Sequence, residues 1–389
     1  MSNVKVYQPA YFKEFLCTGT TCVYNCCKHG WQIRIDKNTY DKYVKLGKSG
    51  TEILDKIKIL TEDPFVAAML KDYEGKCNFL NDKDLCSLQL TLGYEYLCRT
   101  CRIYPRNISY INGEFETFLE LSCEESARVV LFGENHLDFE EGILEPDGCG
   151  NYIPNHVLNL NNYTKARDGA DVFHKLRSAS VAILQSRQYK LRVRMMILCL
   201  FIQQVSEQFA AGSDENIPLF SKVFIDSLNT GVYDTIAEEL PDGIELDFSL
   251  TLNILREIAS KNEKRLNALL KQAHDAYAIS TSDNEEMQLD NFMLKHKEYY
   301  HEYFADKEFI LENFLVNNIL MYGFPFNFGK DGDVMNNFAE LLVKYNLLEF
   351  LLTGVCVYHK TFDEWNIIDC VSAFCRCYEN SLKGYLMYE

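Results

Sequence analysis

An α+β fold, mainly α, is what the sequence predicts, on three observations. Nine of the fifteen cysteines lie between Cys17 and Cys123, short alternating segments and an Asn-Gly turn share that stretch, and apolar residues recur at three and four almost everywhere after residue 165. The expectation is a small cysteine-rich, metal-binding domain over 1–150 with short strands and a hairpin, then an all-helical domain over 165–389. At roughly 150 residues per domain, 389 residues leave room for both.

The elements follow in order. Trp31-Gln32-Ile33-Arg34-Ile35 alternates as a strand. Residues 37–59 and 87–100 have helix-like apolar spacing. Residues 107–110 and 114–119 flank Ile111-Asn112-Gly113, where Asn-Gly supplies the positive φ angles of a tight hairpin. Residues 122–131 read as a helix with Ser122 as N-cap and Glu125 three positions on. Turn residues Glu145-Pro146-Asp147-Gly148-Cys149-Gly150 and Asn161-Asn162 place the domain boundary at 145–165. Beyond it, helices are predicted over 171–187, 191–209, 249–276, 291–322, 334–352 and 362–378, and no fixed-period repeat is evident.

Composition narrows the class. Hydrophobic residues make up 47% of the chain and there are only eight prolines, which excludes a disordered chain or a small disulfide scaffold. The N-terminus lacks the pattern of an export signal, so a cytoplasmic protein is expected. The longest apolar run, residues 195–202, is too short to span a bilayer and reads as a buried helix. A net charge of −17 argues against nucleic acid and suits a cationic partner, lysine included, although solubility alone also accounts for it.

The cysteines run Cys17-x4-Cys22-x3-Cys26-Cys27, then Cys77-x8-Cys86-x11-Cys98-x2-Cys101, then Cys123. Clustered thiols in a reducing compartment point to structural zinc or an iron–sulfur cluster. Zinc needs four ligands, which Cys77, Cys86, Cys98 and Cys101 could supply. A catalytic cluster needs as few as three, so nine thiols permit two centres, or one with spare thiols packing. Arg99, Arg102 and Arg106 around the Cys98-x2-Cys101 pair suit a negatively charged cluster, or are plain surface residues. Adjacent Cys26 and Cys27 diverge, which is awkward for a single site. No dinucleotide, P-loop, zincin or nucleophile-elbow motif occurs. The C-x3-C-x2-C radical signature is also missing, since His29 stands where its third cysteine belongs. His29 is a ligand candidate, weighed against a structural loop histidine beside Gly30-Trp31.

These residues resemble the flagellin lysine-N-methylase family. The resemblance rests on the first cysteine run followed by Gly30-Trp31 and Thr39-Tyr40, on Cys77-Asn78-Phe79-Leu80 with Leu85-Cys86, and on Cys98-x2-Cys101-x2-Tyr104-Pro105-Arg106. Leu119-Glu120-Leu121-Ser122-Cys123 leading to Ala127-Arg128, and Leu311-Glu312-Asn313-Phe314-Leu315-Val316-Asn317-Asn318 with Phe324-Pro325-Phe326, complete it. The cysteine part alone is similar to a broader group of zinc- or iron-chelating proteins. Glu124 stands where the family pattern leads one to expect proline, a change expected to alter only the helix start.

The resemblance implies methyl transfer from S-adenosylmethionine to lysine side chains of flagellin, a [4Fe–4S] cluster taking part and a cellular electron donor supplying it. Nucleic acid and membrane are not expected partners. Cys22, Cys26, Cys98 and Cys101 are the leading ligands, followed by Cys17, Cys27, Cys77, Cys86 and Cys123. Arg106 is the candidate for the cofactor's carboxylate, against a structural ion pair, and no catalytic residue is singled out. Glu312, Asn313 and Asn317 either cap the N-terminal domain, orient a lysine, or pack. Competing readings are a zinc-stapled protein-binding module without catalysis and an iron–sulfur electron-transfer protein.

Overall fold

The computed structural model describes residues 4–28, 32–61, 65–134, 138–144, 154–239, 251, 253–257, 264–278, 285–328 and 333–381. His29, Gly30, Trp31 and Cys149, on which sequence expectations rest, lie outside them. Five strands, β1 (Val4–Pro9), β5 (Arg106–Ile111), β6 (Glu114–Leu119), β7 (Phe139–Leu144) and β8 (His156–Leu158), form one sheet in the order β7-β1-β6-β5-β8. Three more, β2 (Arg34–Asp36), β3 (Ile57–Ile59) and β4 (Phe65–Met69), form a small antiparallel sheet in the order β2-β4-β3.

The β5–β6 hairpin forms where the Asn-Gly dipeptide predicts it. Ile111 faces Glu114, and Asn112 and Gly113 hold φ of 47° and 103°, the sign a two-residue turn of matching twist requires. Alternate residues of β5 are buried, as a sheet with one covered face demands. β1 was not legible as a strand; it lies parallel to β6, Val6 opposite Phe115, and antiparallel to β7.

Three predicted helices are cut. One is 291–322, where a turn at residues 305–308 divides it into Glu285–Phe304 and Phe309–Tyr322. Residues 37–59 become α1 (Lys37–Lys45), α2 (Lys48–Leu54) and β3, because Gly47 turns the chain at φ 62° and β3 pairs with β4. Residues 87–100 become α3 (Ser87–Leu92) and the start of α4 (Arg99–Ile103), with Gly93 at φ 96° between them. In α5 (Glu124–Leu131) the N-cap is Cys123, not Ser122. The Ser122 hydroxyl is engaged instead by Tyr104 Oη at 3.1 Å.

Beyond residue 165 the described regular elements are all helical: α6 (Gly169–Leu184), α7 (Leu191–Ala210), α8 (Ile217–Ser227), α9 (Asp234–Glu239), α10 (Lys264–Ala276), α11 (Glu285–Phe304), α12 (Phe309–Tyr322), α13 (Val334–His359) and α14 (Glu364–Ser381). α8 and α9 were not anticipated. α13 is long and apolar enough to cross a membrane, but most of it is buried inside the fold, and it serves as a core helix. α12 is buried on every side from Ile310 to Met321, so it forms the centre of the bundle.

Two hydrophobic clusters organise the molecule. The larger joins Ile111, Phe118 and Leu119 of the five-stranded sheet and Ala127, Val130 and Leu131 of α5 to the helices. The smaller gathers Ile33, Ile35, Tyr43, Ile53, Ala67, Met69, Phe79 and Leu97 around Cys77 and Cys98. Polar side chains of α12 stitch the sheet to the bundle. Asn313 Nδ2 donates to the carbonyls of Leu131 and Gly133 at the end of α5 (3.2 and 2.7 Å). Asn317 donates to Leu119 O at 3.2 Å and accepts from Tyr11 Oη. These amides, fully buried, both pack in the core and tie the N-terminal part to α12. Glu312, fully buried, binds Arg187 (2.9 Å) and Arg194 (2.6 Å).

Candidate metal centre

Two successive loops present Cys77 and Cys86 in the same way. Each begins with an Asx residue whose side chain accepts two backbone N–H bonds: Asp72 from Glu74 and Lys76 (both 2.9 Å), Asn81 from Lys83 (2.9 Å) and Leu85 (3.0 Å). Each then closes on a short bridge, Lys71 with Cys77 and Leu80 with Cys86. The signal was in the sequence as Asp72-x4-Cys77 and Asn81-x4-Cys86, a repeat that cysteine spacing alone did not bring out.

The Cys98-x2-Cys101 pair sits at the start of α4, with Cys98 as N-cap and the two sulfurs 3.6 Å apart. Asp36 fixes the helix start by accepting from Arg99 N (3.1 Å) while capping α1 through Thr39 N (2.9 Å). Thr100 Oγ1 adds a bond to Arg34 O (3.0 Å). The Cys27 carbonyl accepts from Cys77 N at 2.8 Å, which draws the first cysteine run onto the loops. Cys77 and Cys98 are buried in the smaller cluster, and Cys27, Cys86 and Cys101 pack against it.

Charge links these sulfurs. The thiol of Cys101, hydrogen-bonded to Cys98, holds Cys98 below the ordinary thiol value, with help from the charge of Arg102, while Cys101 is pushed well up. Of the three arginines near this pair, Arg102 places positive charge on Cys98. Burial pushes Cys77 and Cys86 up, and other thiols of the set add to both shifts. Cys26 is lowered to about 7 by the hydrogen bond from Cys27, with help from Arg376, and Cys27 is correspondingly raised.

Cys22 and Cys123 lie elsewhere, against α5. Cys22 Sγ is 3.3 Å from Glu124 Oε2, and burial followed by that carboxylate pushes the thiol up to about 12. Glu124 also accepts from Val23 N (3.2 Å) and Tyr24 N (2.8 Å), so this residue ties down the Cys22 loop as well as opening a helix. Arg376 of α14 donates to Ser122 O at 2.8 Å and lies 3.8 Å from Glu124. Arg265, held by Asp369 (Nε–Oδ1 2.6 Å), and Arg376 both lie over the Tyr24 ring, 4.7 and 5.5 Å from its centroid. None of Glu124, Tyr24, Arg265 and Arg376 was a candidate from sequence, since only the fold brings residues 24, 265 and 376 together. Cys17 is exposed.

Arg106 stands away from this arrangement. Its guanidinium stacks on Phe15 (4.9 Å) and Phe12 (6.0 Å) and lines a groove of ≈640 Å³ with Lys5, Lys13 and Glu141. No ion pair is formed by it among the described residues.

A thiolate-bound metal fits this donor set in its chemistry: sulfurs from four segments, with Lys71 and Arg102 placing positive charge among them. Among the described residues no three of these side chains stand at metal-ligand geometry, so binding would have to draw the sulfurs together.

Residues 177–385 match the family model described as the FliB lysine N-methylase C-terminal domain. The chain belongs to that family. The matched FliB segment contains Glu312, Asn313, Arg265 and Arg376, and the nine N-terminal cysteines precede it. Over 135 residues the chain is 33% identical to the flagellar biosynthetic protein FliU of Salmonella muenchen, covering 34% of this chain and 79% of that one. Two proteins named lysine-N-methylase, from Salmonella choleraesuis (strain SC-B67) and Salmonella typhimurium (strain LT2), are each 32% identical over 135 residues. The chain spans about a third of the length of those two. No solved structure matches it significantly.

Proposed function

We propose that this FliB-family protein is a protein-lysine N-methyltransferase that uses S-adenosylmethionine to methylate lysines of flagellin in the cytoplasm. The observation that carries the reading is the FliB match over 177–385, whose last helix lays Arg376 against the cysteine-bearing loops. The names of the relatives, lysine-N-methylase and flagellar biosynthetic protein, support the reaction and a flagellar substrate. The cysteine-rich part, 1–150, is the cofactor-bearing unit and the helical part, 165–389, the body it works against.

A [4Fe–4S] cluster would draw its three or four thiolates from Cys22, Cys26, Cys98 and Cys101, with Cys17, Cys27, Cys77, Cys86 and Cys123 as the further candidates. A cluster there supplies an electron and an iron site able to bind the donor's amino acid end, whereas zinc would supply only a structural staple. The chain's own contributions are distinct. Cys26, lowered to about 7, offers a thiolate near neutral pH, while Glu124 orders the loop that carries Cys22. Arg106, stacked on Phe15 beside its groove, would take a carboxylate through the N–H edge of its guanidinium.

The test is anaerobic purification, a count of iron, sulfide and zinc, and incubation with S-adenosylmethionine, a reductant and flagellin. Mass increments of about 14 Da per methyl group on flagellin lysines are the expected result. A colourless protein with stoichiometric zinc and no transfer would leave the zinc-stapled binding module as the reading.

A further inference from the structure

Resting on the reading of a protein-lysine methyltransferase, we infer that the cleft between the five-stranded sheet and α6 is a docking site for a lysine of the protein substrate other than the one that reacts.

The cleft measures ≈590 Å³, within the range of about 300–1,000 Å³ that ligand sites occupy. Tyr7 of β1 and Phe139 of β7 flank it, 38% and 41% exposed, and Leu320 of α12 lines it from the buried side. Phe139 meets the buried ring of Phe118 edge-on at 6.5 Å, a core contact that holds it in place. In the wall, Glu116 and Arg177 cancel each other through a buried pair of hydrogen bonds of 2.5 and 2.6 Å. Glu114 is left over. Its carboxylate is half exposed and accepts no hydrogen bond among the described residues, and His174 Nε2, 3.8 Å away, is a partner only when protonated. Burial and the charge of Arg177 lower His174, so at pH 7 the Glu114 charge stands uncompensated. Gln185, at the end of α6, adds a buried Nε2 with no partner among the described residues.

An occupant must therefore offer a cation to Glu114, an apolar stretch to Tyr7 and Phe139, and an acceptor to Gln185. A lysine side chain with a neighbouring peptide carbonyl offers all three. An anion or a purely apolar ligand would leave Glu114 unanswered. The cleft is also remote from the thiols. Glu114 and Leu119 are the two ends of β6, about 16 Å apart at ~3.3 Å per residue, and Ser122, next to Cys123, touches Tyr104 at the far end. A lysine held at Glu114 thus leaves another free to react, which favours substrates with spaced lysines.

The experiment measures, by fluorescence polarisation on the full chain without S-adenosylmethionine, binding of a labelled two-lysine peptide and of its Nε-acetylated counterpart. The parent should prefer the lysine peptide about tenfold or more, and Glu114→Gln should weaken that peptide about fivefold to tenfold. Glu207→Gln, which removes an equal charge from the exposed side of α7, should bind as the parent does. Tyr7→Ala should weaken the peptide too, and it decides alone should Glu114→Gln melt early. No binding by the parent, no preference over the acetylated peptide, or a folded Glu114→Gln chain that binds as tightly as the parent would overturn the site. So would an equal loss in Glu207→Gln, which would reduce the effect to net charge. Binding that depends on Glu114 in a protein that transfers no methyl group would instead overturn the methyltransferase reading and leave the lysine site standing.

Discussion

Replacing Glu312 by alanine removes a buried charge that holds three parts of the molecule together. Its carboxylate takes three hydrogen bonds from Arg187 (2.9 to 3.2 Å) and one from Arg194 (2.6 Å). The two arginines differ in their escape. Arg187 is 34% exposed and can turn toward water, whereas Arg194 is 2% exposed and keeps only Glu308, at 3.2 Å, as a carboxylate partner. Breaking a buried pair from one side costs about 3–5 kcal/mol, against a total stability of about 5–15 kcal/mol. The folded-to-unfolded ratio should therefore fall by roughly 10²–10³-fold or more. Urea denaturation followed by circular dichroism measures this, provided the slope stays constant. Replacing Glu312 and Arg194 together by methionine should recover much of the loss, because no guanidinium is then buried without its carboxylate and Glu308, 15% exposed, keeps its bonds from Leu191 N and Tyr300 Oη. A cost below about 1 kcal/mol for the alanine variant, or no recovery in the double variant, would refute the assignment of Arg194 as the stranded partner.

Two further outcomes follow from the bundle. At Gly354 in α13 an added Cβ would meet Ala273 Cβ at 2.6 Å and Ala273 Cα at 2.9 Å. Gly354→Ala should therefore lower the urea midpoint, since overpacking of about 1–3 kcal/mol outweighs a helix-propensity gain of about 1 kcal/mol; a raised midpoint would contradict the close approach of α10 and α13. Glu349, 1% exposed beside Tyr345, Arg192 and Glu308, is raised by burial from 4.5 to about 8. His296, whose Nε2 is 3.8 Å away, is lowered by burial from 6.5 to about 3. The folded state thus binds the carboxyl proton more tightly, so Glu349's contribution is full below 4.5 and is lost as pH rises to about 8. His296's contribution is full above 6.5 and is lost as pH falls to about 3. Melts from pH 3 to 9 should show Glu349→Gln flattening the alkaline decline alone; an unchanged alkaline slope would mean that Glu349 is not the group responsible.

Legibility in the sequence tracked the range of the interactions. The β5–β6 hairpin and the helices α6 and α7 depend on a dipeptide and on local periodicity, and both could be read directly. β1 depends on β6 and β7, more than a hundred residues away, and nothing local marks it. Residues 37–59 carry a helical spacing, but pairing of Ile57–Ile59 with β4 won over propensity. α12 shows the opposite limit: with every side buried there is no polar stripe to orient it, so the roles of Glu312, Asn313 and Asn317 emerge only from their partners. The cysteines were conspicuous as donors. Their allocation was not, because Glu124, Arg265 and Arg376 meet Cys22 and Tyr24 only through folding.

The bond from Arg376 to Ser122 spans 254 residues. During synthesis at roughly 5–20 residues per second, the small core around Cys77 and Cys98 can close well before Arg376 exists, by about 10–50 s counted from Ser122. The Cys22–Cys123 edge spends that interval without its guanidinium cover. Ribosome-stalled chains ending before residue 376 should accordingly react with a thiol reagent at Cys22 and Cys123 while Cys98 stays protected. The order in which the ribosome releases the chain thus sets which sulfurs are sheltered first and which wait for the last helix.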